Sequence, residues 1–285
     1  MKLRLIFILL FCLLLHHNLI SQTKNIWFPA KLNIQPFTAN VIEPRAGFEF
    51  LLGKSELRLN IGTSMDFLHL KNEHSTFSFG ADLFTYSLLR SESDFHFPVD
   101  AIDYLFGLNA AVKFCNKEKY KEKNEWMEFG LRFRLSHISA HFVDGHFDNS
   151  KNFWRNDRYP QVYSREFIEL FPFIKYYNLR VYTGFTYIFN VTPKFLGKEI
   201  YQAGFDYYIP NLIDEYFTPF AAYDFKITKV QKFSGNNSFV LGLKFGHPKS
   251  KGFSLRFSYF SGKSIHGEYF DVNESYFSLG FNLEI

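Results

Sequence analysis

Two residue types with complementary acid–base chemistry meet in one short segment, His137-Ile138-Ser139-Ala140-His141. If that segment is a β-strand, His137, Ser139 and His141 share a face, because strand side chains alternate with a period of two. On a shared face an imidazole can take the hydroxyl proton as the serine oxygen attacks an ester carbonyl. Such a pair needs a third group to hold the imidazole in the working tautomer. Asp100 and Glu166 are the candidates, each expected at the top of a strand beside the one that carries His137. The candidate catalytic set is therefore Ser139, His137, Asp100 and Glu166, with His141 as a second base. The plainer reading is ordinary polar residues at a strand end, since so short a motif recurs by chance. Asp144, His146 and Asp148 follow a spacing foreign to EF-hand loops and read as a solvated loop. No cofactor is expected, and the residues leave a metal unspecified.

The elements that must position these residues are strands. Met127, Phe129, Leu131, Phe133 and Leu135 alternate with Glu128, Gly130, Arg132 and Arg134 directly before the motif. The same alternation recurs from Ala46 onwards and is cleanest at the end of the chain. There Phe277, Leu279, Phe281, Leu283 and Ile285 oppose Ser278, Gly280, Asn282 and Glu284. About twelve such segments can be counted. The sixth, near 163–176, carries apolar residues on both parities, and Pro172 suggests a bulge or break. The chain has 38 Phe and 17 Tyr but only 21% charged residues, and its mean hydropathy is slightly negative. A lipid-facing outer wall around a polar lumen reconciles those values. The fold class expected is all-β, a transmembrane antiparallel β-barrel. On this reading His137, Ser139 and His141 point outward, about 20 Å above the start of the apolar run at ordinary strand rise and tilt.

The N-terminus has its own pattern. Lys2 and Arg4 precede the apolar run Leu5 to Leu15, and Ser21 offers a small residue before Gln22. This is the arrangement of a cleaved signal peptide. The domain expectation is a signal peptide over 1–21, a periplasmic segment over 22–42 and an outer-membrane barrel over 43–285. Cys115 would then be the sole cysteine, so a disulfide framework is excluded. A net charge of +4 gives no reason to expect nucleic acid as a partner. The expected partners are outer-membrane lipid and the barrel-assembly machinery, engaged through the C-terminal strand. Long connections at 90–98, 142–162, 190–199, 229–237 and 260–275 are assigned to the outside, and the charged turn at 116–124 to the periplasm. Inward parity falls on Arg132, Arg134, Asp103, Asp206, Asp224, Lys226 and Arg256. Their mixed signs predict mutual pairing rather than an ion-selective ring.

Several segments carry a resemblance. They are Trp27-Phe28-Pro29, Glu43-Pro44-Arg45, Arg134 to His141, Asp144-Gly145, Arg165-Glu166-Phe167 and Arg180 to Gly184. In this order they resemble the envelope family called domain of unknown function 1207. That resemblance implies an outer-membrane barrel without an assigned activity, and the chain departs from it at Ala140 and His146. Separately, His137-x-Ser139 resembles the motif of two kinds of barrel hydrolase, outer-membrane phospholipase and the lipid A deacylases. In the deacylases an Asn follows the Ser, where this chain has Ala140. Three functional readings follow: a barrel of unassigned activity, an acyl-ester hydrolase of outer-leaflet lipid, and a narrow passive pore.

Overall fold

The computed structural model describes residues 23–116, 127–213, 216–229, 232–246 and 251–284. The expected signal peptide and most of the charged turn at 116–124 lie outside them. Twelve antiparallel strands close into one barrel. They are β1 (Ala46–Leu51), β2 (Glu56–Lys71), β3 (Ser75–Arg90), β4 (Val99–Asn116), β5 (Met127–Phe142) and β6 (Tyr163–Tyr176). Then come β7 (Leu179–Thr192), β8 (Glu199–Tyr208), β9 (Phe217–Lys229), β10 (Phe233–Phe245), β11 (Gly252–Lys263) and β12 (Asn273–Glu284). Neighbours in sequence are neighbours in space, and β12 closes on β1 from Ser278↔Leu51 to Leu283↔Ala46. Closure leaves no strand edge between β1 and β12, which a sheet in lipid requires. Among the described residues no helix is long and apolar enough to cross a membrane.

Alternation sorts the side chains as the sequence predicts. Phe129, Phe133, Leu135, Leu241, Leu255, Leu279 and Leu283 are exposed on the outer wall, while Arg132, Arg134, Asp103, Asp206 and Asp224 are buried inside. The expected mixed-sign pairing is present in the lumen. Arg134 donates to Glu169 at 2.8 Å, and Arg180 donates to Asp206 at 2.7 Å.

Strand β6 is continuous, and Pro172 sits in it without a shift of register, opposite Leu131 of β5. Its two apolar parities have separate causes. Ile168, Leu170 and Ile174 take the parity of Glu166 on the outer wall, while Phe167, Phe171 and Phe173 are buried inside. The inner phenylalanines form a socket. Glycines make the space for it: a Cβ on Gly184 would lie 2.4 Å from the Phe171 ring, and one on Gly130 2.2 Å from that of Phe173.

The socket receives the N-terminal segment, set by the sequence reading as periplasmic over 22–42. Lys24–Trp27 pairs with Leu68 to Lys71, prolonging the sheet beside the short β1. The chain then enters the barrel. Phe37 is fully buried, its ring 4.0 Å from that of Tyr182 and 5.1 Å from that of Phe171. The guanidiniums of Arg132 and Arg180 lie 4.6 and 4.5 Å from the same ring. Barrel side chains satisfy the plug's polar groups in turn. Asn33 N–H donates to Asp66 at 2.7 Å and Thr38 N–H to Asp206 at 2.9 Å. Arg132 donates to Glu43 at 2.9 Å. A buried segment with no strand partners must find its acceptors and donors in this way.

Candidate functional site

His137, Ser139 and His141 are on the outer wall near the top of β5, at the parity of Phe133 and Leu135. The intervening Ser136, Ile138 and Ala140 are buried inside. Register brings Glu166 of β6 directly opposite His137. The two are joined by a hydrogen bond of 2.7 Å between His137 Nδ1 and a Glu166 carboxylate oxygen. Their side chains are 26% and 28% exposed, half sheltered by the wall. The Phe106 ring of β4 flanks the imidazole at 4.9 Å. With Nδ1 held by Glu166, Nε2 is the nitrogen left for other work. Glu166 Oε2 is shut off from solvent without a hydrogen-bond partner among the described residues.

Ser139 stands two residues further up the same face, roughly 6.6 Å along the strand at ordinary rise. Across the ladder it faces Tyr104 of β4 and Ser164 of β6. His141 lies 6.1 Å from the Tyr104 ring, and no carboxylate pairs with it among the described residues. The register thus brings Ser139, His137 and Glu166 to one stretch of the outer wall, with the His137–Glu166 hydrogen bond the contact made among them.

Asp100 does not join this set. It is buried on the inner side, where its carboxylate meets His146 Nδ1 at 2.9 Å and accepts from the Tyr269 hydroxyl at 2.5 Å. The cause is a β-bulge: Leu88 pairs with Ala101 but Leu89 pairs with Val99, which leaves Asp100 as the extra residue. A bulge re-aims a side chain that simple alternation would send outward. His146, expected in a solvated loop, is instead fully buried and stacked on Phe142 at 3.7 Å. Asp148 accepts from Ser150. Among the described residues no group of three His, Cys, Asp or Glu is arranged to hold a metal ion.

The long outer loops interlock above the lumen. Arg158 donates to Asp271 at 2.9 Å, tying 143–162 to 264–272. His266 Nδ1 meets Asp103 at 2.8 Å and Gly267 N–H donates to the other oxygen of Asp103. Beneath these contacts Glu268 is buried, which pushes its carboxyl up to about 7. Sequence reading missed this layer, because its partners lie more than a hundred residues apart.

A closed twelve-stranded barrel with an apolar outer wall, a paired polar lumen and aromatic residues along the wall is an outer-membrane β-barrel. The chain belongs to the family described as "Protein of unknown function (DUF1207)", whose profile matches residues 120–284. The segments at Trp27 and Glu43 that suggested the family precede the matched region. No curated protein sequence matches the chain. Solved structures with the same fold include the Salmonella typhi outer membrane phospholipase dimer with bound calcium. It is 14% identical with a TM-score of 0.51, covering 94% of this chain and 96% of that one. Another is an active-site asparagine-to-alanine mutant of the Escherichia coli outer membrane phospholipase A. It is 17% identical with a TM-score of 0.50, covering 89% of this chain and 94% of that one.

Proposed function

We propose that this outer-membrane barrel hydrolyses acyl esters of outer-leaflet lipid, using Ser139 as nucleophile, His137 as general base and Glu166 as the orienting acid. One observation carries the reading: the 2.7 Å bond between His137 Nδ1 and Glu166 lies on the lipid-facing wall, on the same face as Ser139. A base–acid pair inside the lumen could serve packing alone, but an outward pair meets a lipid ester without extracting the lipid from its leaflet. The phospholipases among the structural neighbours lend the substrate class to this proposal.

In the forward step Ser139 Oγ attacks the ester carbonyl while His137 Nε2 takes its proton. The imidazolium formed is stabilised by Glu166, and it returns the proton to the leaving alcohol. Water then attacks the acyl-enzyme, again with His137 as base. The tetrahedral oxyanion needs donors, and the hydroxyls of Ser164 and Tyr104, opposite Ser139 in the ladder, are the nearest in register. Assembly into the membrane is proposed to use the apolar face of β12, Phe277 to Leu283, as the segment read by the barrel-assembly machinery.

The test is fatty-acid release from phospholipid and from lipid A in mixed micelles, with and without calcium. Wild type releases fatty acid, while Ser139→Ala and His137→Ala fall by about a thousandfold or more. Activity that survives both substitutions sinks the hydrolase reading and leaves a barrel of unassigned activity.

A further inference from the structure

We propose that the upper lumen holds a binding site for a small organic carboxylate, with Arg165 as the group that receives the anion. The inference is independent of the hydrolase reading, because Arg165 faces inward and Ser139 outward. A cavity of about 100 Å³ lies inside the barrel among β6 to β11, under Leu196 and Ile265 of two outer loops. Arg165 of β6, Lys226 of β9 and Lys263 of β11 line it.

Nearly every other charged group around this space is satisfied. Glu169 is taken by Arg134, and Asp224 accepts from the Tyr182 hydroxyl at 2.5 Å and from Gln202. Lys226 donates to Asn40 at 2.6 Å, and Lys263 donates to the Asp271 carbonyl at 2.7 Å. Elsewhere in the lumen Arg132, Arg180 and Arg256 each donate to a carboxylate or a carbonyl. Lys229 also lines the space but is exposed, its ammonium over the Phe233 ring; Arg165 is the exception among the sheltered cations. Among the described residues it has no ion pair and no side-chain hydrogen bond, and its Nε is shut off from solvent. The Tyr86 hydroxyl, which interacts electrostatically with Arg165, is likewise buried without a partner.

A guanidinium left without acceptors in such a space is costly. Its planar fork matches a carboxylate in two parallel hydrogen bonds. The cavity's other side selects the body of the ligand. Ile188, Val191 and Leu196 belong to one packed apolar cluster, with Ile265 against it. An anionic head at Arg165 and a short apolar body along that cluster satisfy both sides at once.

The experiment is calorimetric titration of the purified full chain in neutral detergent with hexanoate, hexanol and inorganic phosphate. Hexanoate is expected to bind saturably at one site, with hexanol and phosphate at least tenfold weaker. Arg165→Gln should weaken hexanoate at least tenfold while the barrel keeps its heat-modifiable migration. Should Arg165→Gln not assemble, Lys263→Gln decides, and it should weaken hexanoate severalfold. The proposal is overturned if hexanoate shows no saturable binding, or if hexanol or phosphate binds as tightly. It is also overturned if the folded Arg165→Gln, or Lys263→Gln in its place, binds hexanoate as wild type does.

Discussion

At the scale of the residue, the hydrolase reading separates two carboxylates that the sequence could not rank. Glu166 touches His137, whereas Asp100 holds His146 inside the wall. Glu166→Gln keeps the shape of the site but replaces the acceptor that fixes the tautomer, so acyl release should fall on the order of a hundredfold. Asp100→Asn should leave acyl release at the wild-type level while raising proteolytic cleavage within 143–162. The reverse ranking in an acyl-release assay would put the orienting role on Asp100. The shared face of His137 and Ser139 was legible from alternation alone, because β5 has no bulge between Met127 and Phe142. The position of Asp100 was not, because the bulge beside Leu89 shows only in the register of the partner strand.

At the scale of the element, the outer loop 264–272 and the plug behave differently towards pH and truncation. Glu268, burial of which raises its carboxyl to about 7, binds its proton more tightly when the loop is docked than when it opens to water. Docking is therefore favoured at low pH and weakens as pH rises from about 4.5 through 7, by about 1.4 kcal/mol for each unit of difference between the two states. Hydrogen exchange corrected for intrinsic rates should show the amides of 264–272 better protected at pH 5.5 than at pH 8, and Glu268→Gln should remove the difference. For the plug, Phe37→Ala empties the socket between Phe171 and Tyr182 and should cost about 3 kcal/mol or more, read as a lower temperature for the gel-mobility shift. The connection at 260–275 was legible as a long outer loop, but its docking contacts were not, and the plug left no pattern of its own. Residues 33–43 alternate poorly because their partners come from several strands: Asp66 of β2 for Asn33, Phe171 of β6 for Phe37 and Asp206 of β8 for Thr38. Strand β6 looked irregular for the complementary reason: Phe167, Phe171 and Phe173 point inward at a parity that elsewhere carries charge, and Phe171 and Phe173 meet Phe37.

At the scale of the whole molecule, the plug decides whether the barrel conducts. Eight strands leave an interior that side chains fill, and sixteen leave a channel, so a twelve-stranded barrel is closed or open according to its contents. Here Asn33 to Glu43 occupy the lumen, and intact protein in planar bilayers should give no steady large conductance. Replacing 33–43 with a Gly/Ser stretch of equal length removes the occupant while the twelve strands stay hydrogen-bonded to one another. It also changes the charge the lumen presents. Arg132 loses Glu43, and Arg180 loses the carbonyls of Gln35 and Pro36. Arg256, Lys113 and Lys226 lose acceptors on Thr38, Asn33 and Asn40. Only Asp66 and Asp206 lose donors from the plug's backbone. The replacement removes Glu43, the only charged residue in 33–43, while the luminal cations lose these acceptors, so the emptied lumen is more electropositive, and the replaced variant should conduct and prefer chloride over potassium in a salt gradient. A variant that keeps its heat-modifiable migration yet conducts no more than wild type would show that the luminal side chains, rather than the plug, close the barrel. A cation preference would show that the charges left by the plug do not set the field of the pore.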